Sequence, residues 1–286
     1  MTRIGFVGLG LMGSSMARNL MKNGFEVHGY ARHPQKVSGL VEEGLILHDT
    51  LSEAAALAEV MISMVGFPED VREVYCSTNG ILDSMSPGTI CIDMTTSDPD
   101  LARELHELAA EKGIAMVDAP VTGGDVGAQK GTLTILVGGN DEDLNKVMPV
   151  LEAMGSSIHY MGEAGMGQQA KLVNQILIAG AMAGVAEAWN YALESGLDTE
   201  DIYLSLRQGA AGSKSMDLYW PRLLHDDLQP GFFIKHFIKD MNLAAEQARA
   251  KGLHLEVLET VLQEYRDLNE PELGTQALIH ASEKKN

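Results

Sequence analysis

A glycine-rich segment follows an apolar run at residues 4–7 and precedes a helix-like segment at residues 14–23. Its spacing is G-x-G-x-x-G, in the strand, turn and helix context of a dinucleotide-binding fingerprint. The first glycine allows a tight turn, the second lets the backbone approach a pyrophosphate, and the third lets the helix lie close to the strand. The phosphates would meet the positive end of a helix. The sequence therefore predicts a dinucleotide-binding turn made by Gly8, Gly10, Leu11, Met12 and Gly13.

The residues after the predicted second strand, residues 26–30, bear on which dinucleotide is bound. In this kind of site an acidic residue holds the 2′-hydroxyl of NAD, and an arginine accommodates the 2′-phosphate of NADP. Here Arg32 follows the strand and no carboxylate stands at the expected position. A guanidinium is a planar donor fork that suits a phosphate. A solvated loop arginine is the alternative. The sequence predicts NADP as the preferred cofactor, with NAD as the second choice.

Three polar residues, Lys171, Asn174 and Gln175, stand near the start of a mostly apolar helical pattern. Their spacing of i, i+3 and i+4 places them on one face of a helix. Two explanations are open, a solvated helix end and a site that faces a cleft. The rest of this helix, residues 166–195, carries Gly180 and Gly184 among alanines, which would let a second helix approach closely. That pattern indicates a buried central helix or an interface helix.

Short apolar runs alternate with amphipathic stretches in the first half of the chain, which predicts a largely parallel sheet with crossover helices. The β pattern stops near residue 163, and helical patterns continue from there. We therefore expect an α/β protein with an N-terminal Rossmann-type, doubly wound domain at residues 1–162 and an all-helical domain at residues 163–286. Residues 283–286 are expected to form a loose tail. The predicted strands after the first are residues 26–30, 60–65, 89–93, 114–118, 133–137 and 157–161.

Composition excludes several classes of protein. A formal net charge of −19 leaves little material for the Lys/Arg patch that nucleic acid or anionic lipid requires. We expect no membrane span, because no apolar run approaches the length needed to cross a bilayer. We also expect a cytoplasmic location, because no targeting segment is recognised. Cys76 and Cys91 lack metal-binding or disulfide spacing, and the nine histidines show no ligand pattern. No metal is predicted.

Five motifs together resemble the β-hydroxyacid dehydrogenases, the family that includes 3-hydroxyisobutyrate dehydrogenase, tartronate semialdehyde reductase and the glyoxylate/succinic semialdehyde reductases. They occur in the family's order and cover residues 4 to about 245. The motifs are Gly8-x-Gly10-x-x-Gly13-x-x-x-Ala17-x-Asn19-Leu20, Asp93-Met94-Thr95-Thr96-Ser97-x-Pro99, Asp118-Ala119-Pro120-Val121-Thr122-Gly123-Gly124, Gly165-x-Gly167-x-x-x-Lys171-x-x-Asn174 and Lys239-Asp240.

The resemblance implies reversible hydride transfer between a nicotinamide cofactor and the β-carbon of a short 3-hydroxy acid or its semialdehyde. Lys171 matches the family's catalytic lysine, which would donate a proton to the forming alkoxide. Asn174 matches the residue that orients that lysine and the substrate. Gln175 stands where asparagine is common, and its longer amide is expected to reach the site.

The remaining matches concern a carboxylate-bearing substrate and the cofactor. Thr122, Gly123 and Gly124 match the S-G-G turn that receives the substrate carboxylate, with threonine in place of serine. Thr96 matches a residue near the cofactor, and Lys239 resembles the lysine of the second domain that reaches it. Val65 and Gly66 replace the family's Leu-Pro in a loop on the adenosine side.

Family resemblance and the small-residue helix both predict a homodimer or homotetramer. Two other functions stay open. One is a non-catalytic NADP-binding protein, against which the presence of Lys171 argues. The other is a divergent reductase that acts on imines, where relatives commonly replace the lysine, or a decarboxylating 3-hydroxy acid dehydrogenase of the 6-phosphogluconate type. The latter would need more Arg and Lys at its substrate pocket than this sequence offers.

Overall fold

A computed structural model describes residues 2–281, and the predicted tail at residues 283–286 lies outside them. By its internal contacts the chain divides into two compact units, residues 1–171 and 172–286. The division falls inside one long helix, whereas the sequence places the domain boundary between residues 162 and 163. The boundary between the cofactor-binding domain and the helical domain therefore stays a prediction.

The first unit is built on one sheet whose strands follow the order β3-β2-β1-β4-β5-β6-β8-β7, with β9 paired to β8. The first six strands in that order run parallel, and β8 pairs with β6 and β7 in the antiparallel sense. The strands are β1 (Arg3–Val7), β2 (Glu26–Tyr30), β3 (Ile46–His48), β4 (Val60–Ser63), β5 (Ile90–Asp93), β6 (Ala115–Asp118), β7 (Val121–Thr122), β8 (Leu133–Gly138) and β9 (Gly155–Gly162).

Helices cover the sheet and account for the second unit. Those of the first unit are α1 (Leu11–Lys22), α2 (Ser38–Glu42), α3 (Leu51–Leu57), α4 (Pro68–Cys76), α5 (Ile81–Ser84), α6 (Pro99–Glu111), α7 (Gly124–Lys130) and α8 (Asp141–Glu152). A long helix, α9 (Met166–Glu194), follows, and then α10 (Thr199–Leu206), α11 (Lys214–Leu223), α12 (Ile234–Ala250) and α13 (Glu256–Leu268). Short 3-10 segments occupy Pro34–Val37 and Thr275–Ala281.

The predicted fold class, a Rossmann-type α/β domain followed by a helical one, is confirmed. The strands β4 and β5 are buried along their whole length, so they read as apolar runs rather than as alternating patterns. The sequence missed β3 and β7, which have three and two residues and are too short to show a period.

Helix α9 bears on the expectation that no apolar segment is long enough to cross a membrane. It has 29 residues, and it is the one helix among the described residues that is long and apolar enough to cross a bilayer. The expectation that no segment reaches that length is therefore wrong by this measure, because the alanines of this helix and its larger aliphatic residues together keep the mean hydropathy high over a membrane-spanning length. One such helix is weak evidence for a membrane span, since the core helix of a soluble protein passes the same test.

The strand order reverses between β1 and β4, and the turn after β1 is tightly packed at this point. Gly8 has φ +91°, and a Cβ there would lie 2.1 Å from the carbonyl oxygen of Met64. A Cβ on Gly13 would lie 2.0 Å from the carbonyl oxygen of Gly8. At Gly10, by contrast, a Cβ would meet nothing within 4 Å. Two of the three fingerprint glycines are thus required by packing, and the third faces open space.

This difference predicts how alanine substitutions affect folding. Gly8→Ala should lower the free energy of unfolding by roughly 1–3 kcal/mol, because an L-residue is strained at this φ and its methyl group meets Met64. Gly10→Ala is the matched control and should leave stability close to that of the wild type. Urea unfolding followed by circular dichroism measures both. Equal losses for the two variants would contradict this account of the turn.

Candidate functional site

Loops that leave the carboxyl ends of the parallel strands bring most of the predicted first-unit residues to one edge of the sheet. In such sheets ligands bind at this edge, near the point where the strand order reverses. The turn at Gly10 lies here and leads directly into α1, which begins at Leu11. No side chain caps this helix start and no acidic residue lies in its first turn. The backbone N–H groups there are suited to a phosphate, and the open side of Gly10 leaves room for its approach.

The buried carboxylate of Asp93, at the end of β5, organises the next two loops. Its Oδ1 accepts hydrogen bonds from the hydroxyl of Ser63, at 2.8 Å, and from the backbone N–H of Thr95, at 3.1 Å. The Thr95 hydroxyl in turn accepts one from the N–H of Val65, at 3.0 Å. Burial raises the pKa of Asp93 to about 6, against the opposing effect of these hydrogen bonds. The loops that contain Val65 and Thr96 are thereby tied together.

A second buried carboxylate, Asp118 at the end of β6, holds the start of α9. Its two oxygens accept hydrogen bonds from the backbone N–H groups of Gly165, at 2.7 Å, and Gln168, at 2.8 Å. Burial raises the pKa of Asp118, and those two N–H groups oppose the rise. Lys171 follows one turn beyond Gln168 and is itself buried, with 7% of its surface exposed. A lysine is rarely buried to this degree, so this position is unusual for a merely structural residue.

The predicted carboxylate-binding loop joins β7 to α7. Gly123 has φ +130° and Gly124 has φ +64°, both in the region that favours glycine. Thr122 is half-buried, and the start of α7 has no side-chain cap. The first turn of α7 also carries Asp125. This loop therefore offers a hydroxyl and backbone N–H groups as hydrogen-bond donors rather than a net positive charge.

In the second unit, polar residues of α9 and α12 form a short hydrogen-bonded chain. The Asn174 side-chain amide donates to the Oε1 of Gln175 at 2.7 Å, and the Gln175 amide donates to the Oδ2 of Asp240 at 2.6 Å. The ammonium of Lys239 lies 2.9 Å from the Oδ1 of Asp240. Asp240 and Gln175 are each 1% exposed. The structure thus brings together three predicted site residues through Asp240.

Arg32 follows β2 and forms an ion pair that the sequence analysis did not predict. The guanidinium lies 3.5 Å from the Oδ1 of Asp70 in α4, while the Oδ2 of Asp70 accepts a hydrogen bond from the N–H of Phe67. The residues directly after β2 include no carboxylate, as the sequence analysis noted. Tertiary structure supplies one from α4, which sequence spacing cannot show. The side chain of Arg32 remains 69% exposed.

Two further residues were missed as site components, Asp118 and Gln168. Asp118 begins the motif that ends at Gly124. Its sequence position could have indicated a site role, because Asp93 and Asp118 each end an apolar strand, and functional groups of parallel sheets lie at the strand ends. Gln168 gave no signal beyond its place before Lys171. Within the described residues no group of three or more His, Cys, Asp or Glu side chains is arranged to hold a metal ion.

The chain matches two family models that together span most of its length. Residues 3–162 match the NAD binding domain of 6-phosphogluconate dehydrogenase. Residues 165–281 match the model described as NAD-binding of NADP-dependent 3-hydroxyisobutyrate dehydrogenase.

Relatives of similar length carry oxidoreductase names. The uncharacterized oxidoreductase YkwC of Bacillus subtilis is 46% identical over 278 residues, which cover 96% of each chain. An NAD-dependent L-serine dehydrogenase of Pseudomonas aeruginosa is 37% identical over 93% of this chain and 92% of its own. Among solved structures, a 3-hydroxyisobutyrate dehydrogenase of Mycobacterium tuberculosis with L-serine is 33% identical, with a TM-score of 0.88 over 99% of both chains.

The raised pKa of Asp93 predicts a pH-dependent stability. Because the folded state holds this proton more tightly than the unfolded chain does, the contribution of Asp93 to stability is fully present below pH 4 and is lost as the pH rises through 6. Asp93→Asn keeps an acceptor oxygen without the charge. It should therefore stabilise the protein by roughly 2–3 kcal/mol at pH 7 and by little at pH 4.

Urea unfolding at pH 4 to 8 measures this difference between variant and wild type. Asp83→Asn is the control, because Asp83 is exposed and its pKa is lowered by Lys112. That control should not stabilise the protein at pH 7. An Asp93→Asn variant whose difference from the wild type does not change with pH would refute the prediction.

Proposed function

The chain belongs to the β-hydroxyacid dehydrogenase family and is a nicotinamide-dependent hydroxyacid dehydrogenase; from this premise we propose that it oxidises a short 3-hydroxy acid at its β-carbon and reduces the matching semialdehyde. The observation that carries this proposal is Lys171, a buried lysine in the family's G-x-G-x-x-x-K-x-x-N motif at the start of α9. The non-catalytic alternative would not need an amine there.

Lys171 is the proposed general acid and base. The nicotinamide, when bound, supplies or accepts the hydride. During reduction the ammonium of Lys171 donates a proton to the carbonyl oxygen as that oxygen gains negative charge, and during oxidation the neutral amine takes the proton back. Asn174 lies at i+3 on the same helix and is proposed to orient the substrate oxygen or the lysine. Gln175 supports Asn174 through the hydrogen bond described above.

The substrate carboxylate is proposed to bind at Thr122, Gly123 and Gly124 through the threonine hydroxyl and backbone N–H groups. The relatives suggest what the rest of the substrate looks like. L-Serine and 3-hydroxyisobutyrate share a carboxylate, a hydroxymethyl group and one small substituent on the carbon between them, an ammonium in one and a methyl in the other. We propose this common skeleton as the substrate class.

NADP is the proposed preferred cofactor, with NAD as the alternative. The fingerprint turn fits a dinucleotide because its backbone is closely packed at Gly8 and Gly13 and open at Gly10, beside the uncapped start of α1. The loops at Val65, Gly66 and Thr96 are proposed to line the same cofactor, and Lys239 to reach it. Arg32 is the proposed ligand of the 2′-phosphate. Asp70 competes for that guanidinium, which would weaken the preference.

A homo-oligomer built on the helical domain, residues 163–286, is proposed from one face of α9. Val173, Leu177 and Tyr191 recur along it with exposed fractions of 58%, 69% and 74%, and Gly184 lies between them. Apolar side chains exposed in one row indicate a protein-protein contact, and the glycine permits a close one. Light scattering should give the mass of a dimer or tetramer. A cytoplasmic location is proposed as well.

The role of Lys171 is tested by reduction of glyoxylate and of the semialdehydes of succinate, tartronate and methylmalonate with NADPH or NADH. The reverse direction is tested by oxidation of L-serine and 3-hydroxyisobutyrate with NADP+ or NAD+. Lys171→Ala and the longer Lys171→Met should lower kcat about 100- to 10,000-fold, the usual contribution of a positioned acid or base. NADPH affinity should change little.

Lys22→Ala serves as the control, since Lys22 is an exposed lysine in the last turn of α1. Wild-type turnover that survives in both Lys171 variants would remove the lysine from the mechanism. Tight NADPH binding without any turnover would favour the non-catalytic alternative.

Cofactor choice is tested with two variants of opposite expected sign. Arg32→Ala should raise KM for NADPH roughly tenfold or more, with little change for NADH, because a charge-assisted hydrogen bond to phosphate is lost. Asp70→Asn keeps the acceptor for the Phe67 N–H and should lower KM for NADPH a fewfold. Steady-state kinetics give KM for both cofactors in each variant. Equal changes in KM for NADH and NADPH would contradict the assignment of Arg32 to the 2′-phosphate.

A further inference from the structure

The start of α9 is held by the side chain of Gln168 as well as by hydrogen bonds to its backbone N–H groups. Besides the Gly165 and Gln168 N–H groups bound by Asp118, the Gln168 side chain makes two more contacts. Its Oε1 accepts a hydrogen bond from the N–H of Ser97 at 2.9 Å, and its Nε2 donates one to the carbonyl oxygen of Thr95 at 2.7 Å. Gln168 is fully buried and Asp118 is 3% exposed.

The packing around this cluster leaves the helix little freedom to shift. Gly165 has φ +84°, and a Cβ there would lie 2.7 Å from the carbonyl oxygen of Pro99. A Cβ on Gly167 would lie 2.5 Å from the carbonyl oxygen of Leu136, and one on Gly138 would lie 2.5 Å from the Oδ1 of Asp118. The backbone of the first turn therefore lies directly against the strand ends. Movement in that direction is blocked by contact, and movement away breaks buried hydrogen bonds.

We infer that Asp118 and Gln168 are positioning residues for Lys171, which set the place of its amine relative to the loops after β5 and β6. This inference rests on the proposed function. The connection is short, because Lys171 follows Gln168 by three residues on a rigid helix and lies in the same compact unit as Asp118. One carboxylate and one amide thus tie the lysine to the Thr95–Ser97 backbone and to the strand that leads into the Thr122 loop.

The electrostatic and geometric requirements of the cluster explain these residue types. Two converging N–H groups need a side chain with two acceptor oxygens, which a carboxylate has and an amide lacks. At Gln168 one N–H donor and one carbonyl acceptor must be matched at once, which requires a carboxamide. A displacement of about 1 Å in a catalytic group can lower the rate about 100-fold. Small changes at either residue should therefore be visible in catalysis before the fold is lost.

The first experiment compares Asp118→Asn with a cap of the same chemistry elsewhere. Asp198 accepts hydrogen bonds from the N–H groups of Glu200 and Asp201 at the start of α10, both on its Oδ1. Asparagine would keep that oxygen, so Asp198→Ala, which removes the cap, is the matched control. Both variants should lower Tm by a few degrees. Only Asp118→Asn should lower kcat, by about tenfold to a hundredfold, with the Kd for NADPH within twofold of the wild type.

The second experiment asks whether the effect passes through the lysine. In a Lys171→Met background Asp118→Asn should cause no further loss of kcat, because the group that it positions is gone. Should Asp118→Asn fail to fold, Gln168→Met, which keeps the volume and loses both hydrogen bonds, takes its place with the same expectations. Three outcomes would each overturn the inference: equal kcat for Asp118→Asn and Asp198→Ala, the same fold-loss of kcat from Asp118→Asn in the Lys171→Met background as in the wild type, or a loss confined to NADPH affinity.

Amide hydrogen exchange separates this inference from the proposed function. The peptide that spans residues 163–171 should lose protection in Asp118→Asn and keep it in Asp198→Ala, whether or not substrate is turned over. A wild-type protein that turns over no 3-hydroxy acid would end the proposed function and the catalytic part of the inference with it. Unchanged exchange in an active enzyme would show instead that Asp118 does not hold the helix.

Discussion

Two carboxylates buried side by side at the ends of neighbouring strands constrain much of the first unit. Asp93 and Asp118 are register partners across β5 and β6, and each is almost completely removed from water. A buried charge is tolerated where donors surround it, and here the donors come from the loops that follow and from the first turn of α9. Those backbone segments must therefore return to the sheet edge. The need to satisfy these two side chains shapes the edge at which the proposed chemistry takes place.

This arrangement exchanges some stability for a defined geometry. Burial raises the pKa of both carboxyl groups, which means that their charged forms are less stable inside the protein than in water. An apolar residue at either position would avoid that loss. It would also free the Thr95 loop or the start of α9, because the N–H of Thr95 would lose Asp93 as its acceptor, or those of Gly165 and Gln168 would lose Asp118. Proteins commonly accept such local losses where a site must be held in one conformation.

An acidic chain that acts on an anionic substrate with an anionic cofactor needs a way to hold both. With a formal net charge of −19, general electrostatic attraction is unavailable. The sites that we propose would use backbone N–H groups instead, at the start of α1 and in the loop after β7. Even the exposed Arg32 is paired with Asp70. Recognition that depends on directed hydrogen bonds favours small ligands of fixed shape over extended polyanions, in agreement with the substrate class that we propose.

The sequence by itself determined the fold class, the family and most elements that carry the proposed site. The parallel strands produced short apolar runs, the glycine fingerprint followed one of them, and Lys171 belongs to a recognisable motif at the start of a helical pattern. These signals are local, since each depends on residues close together in the chain. Strands β3 and β7 were missed because they are too short for any periodicity.

Only the tertiary structure decided which distant side chains meet. Asp70 comes to Arg32 from another helix, Asp118 reaches the start of α9 across 47 residues, and Gln168 binds the Ser97 backbone across 71. Nothing in one sequence specifies such pairs, because their contact depends on how helices and strands pack rather than on spacing along the chain. The sequence could name the lysine, but what holds that lysine in place is a property of the folded sheet edge.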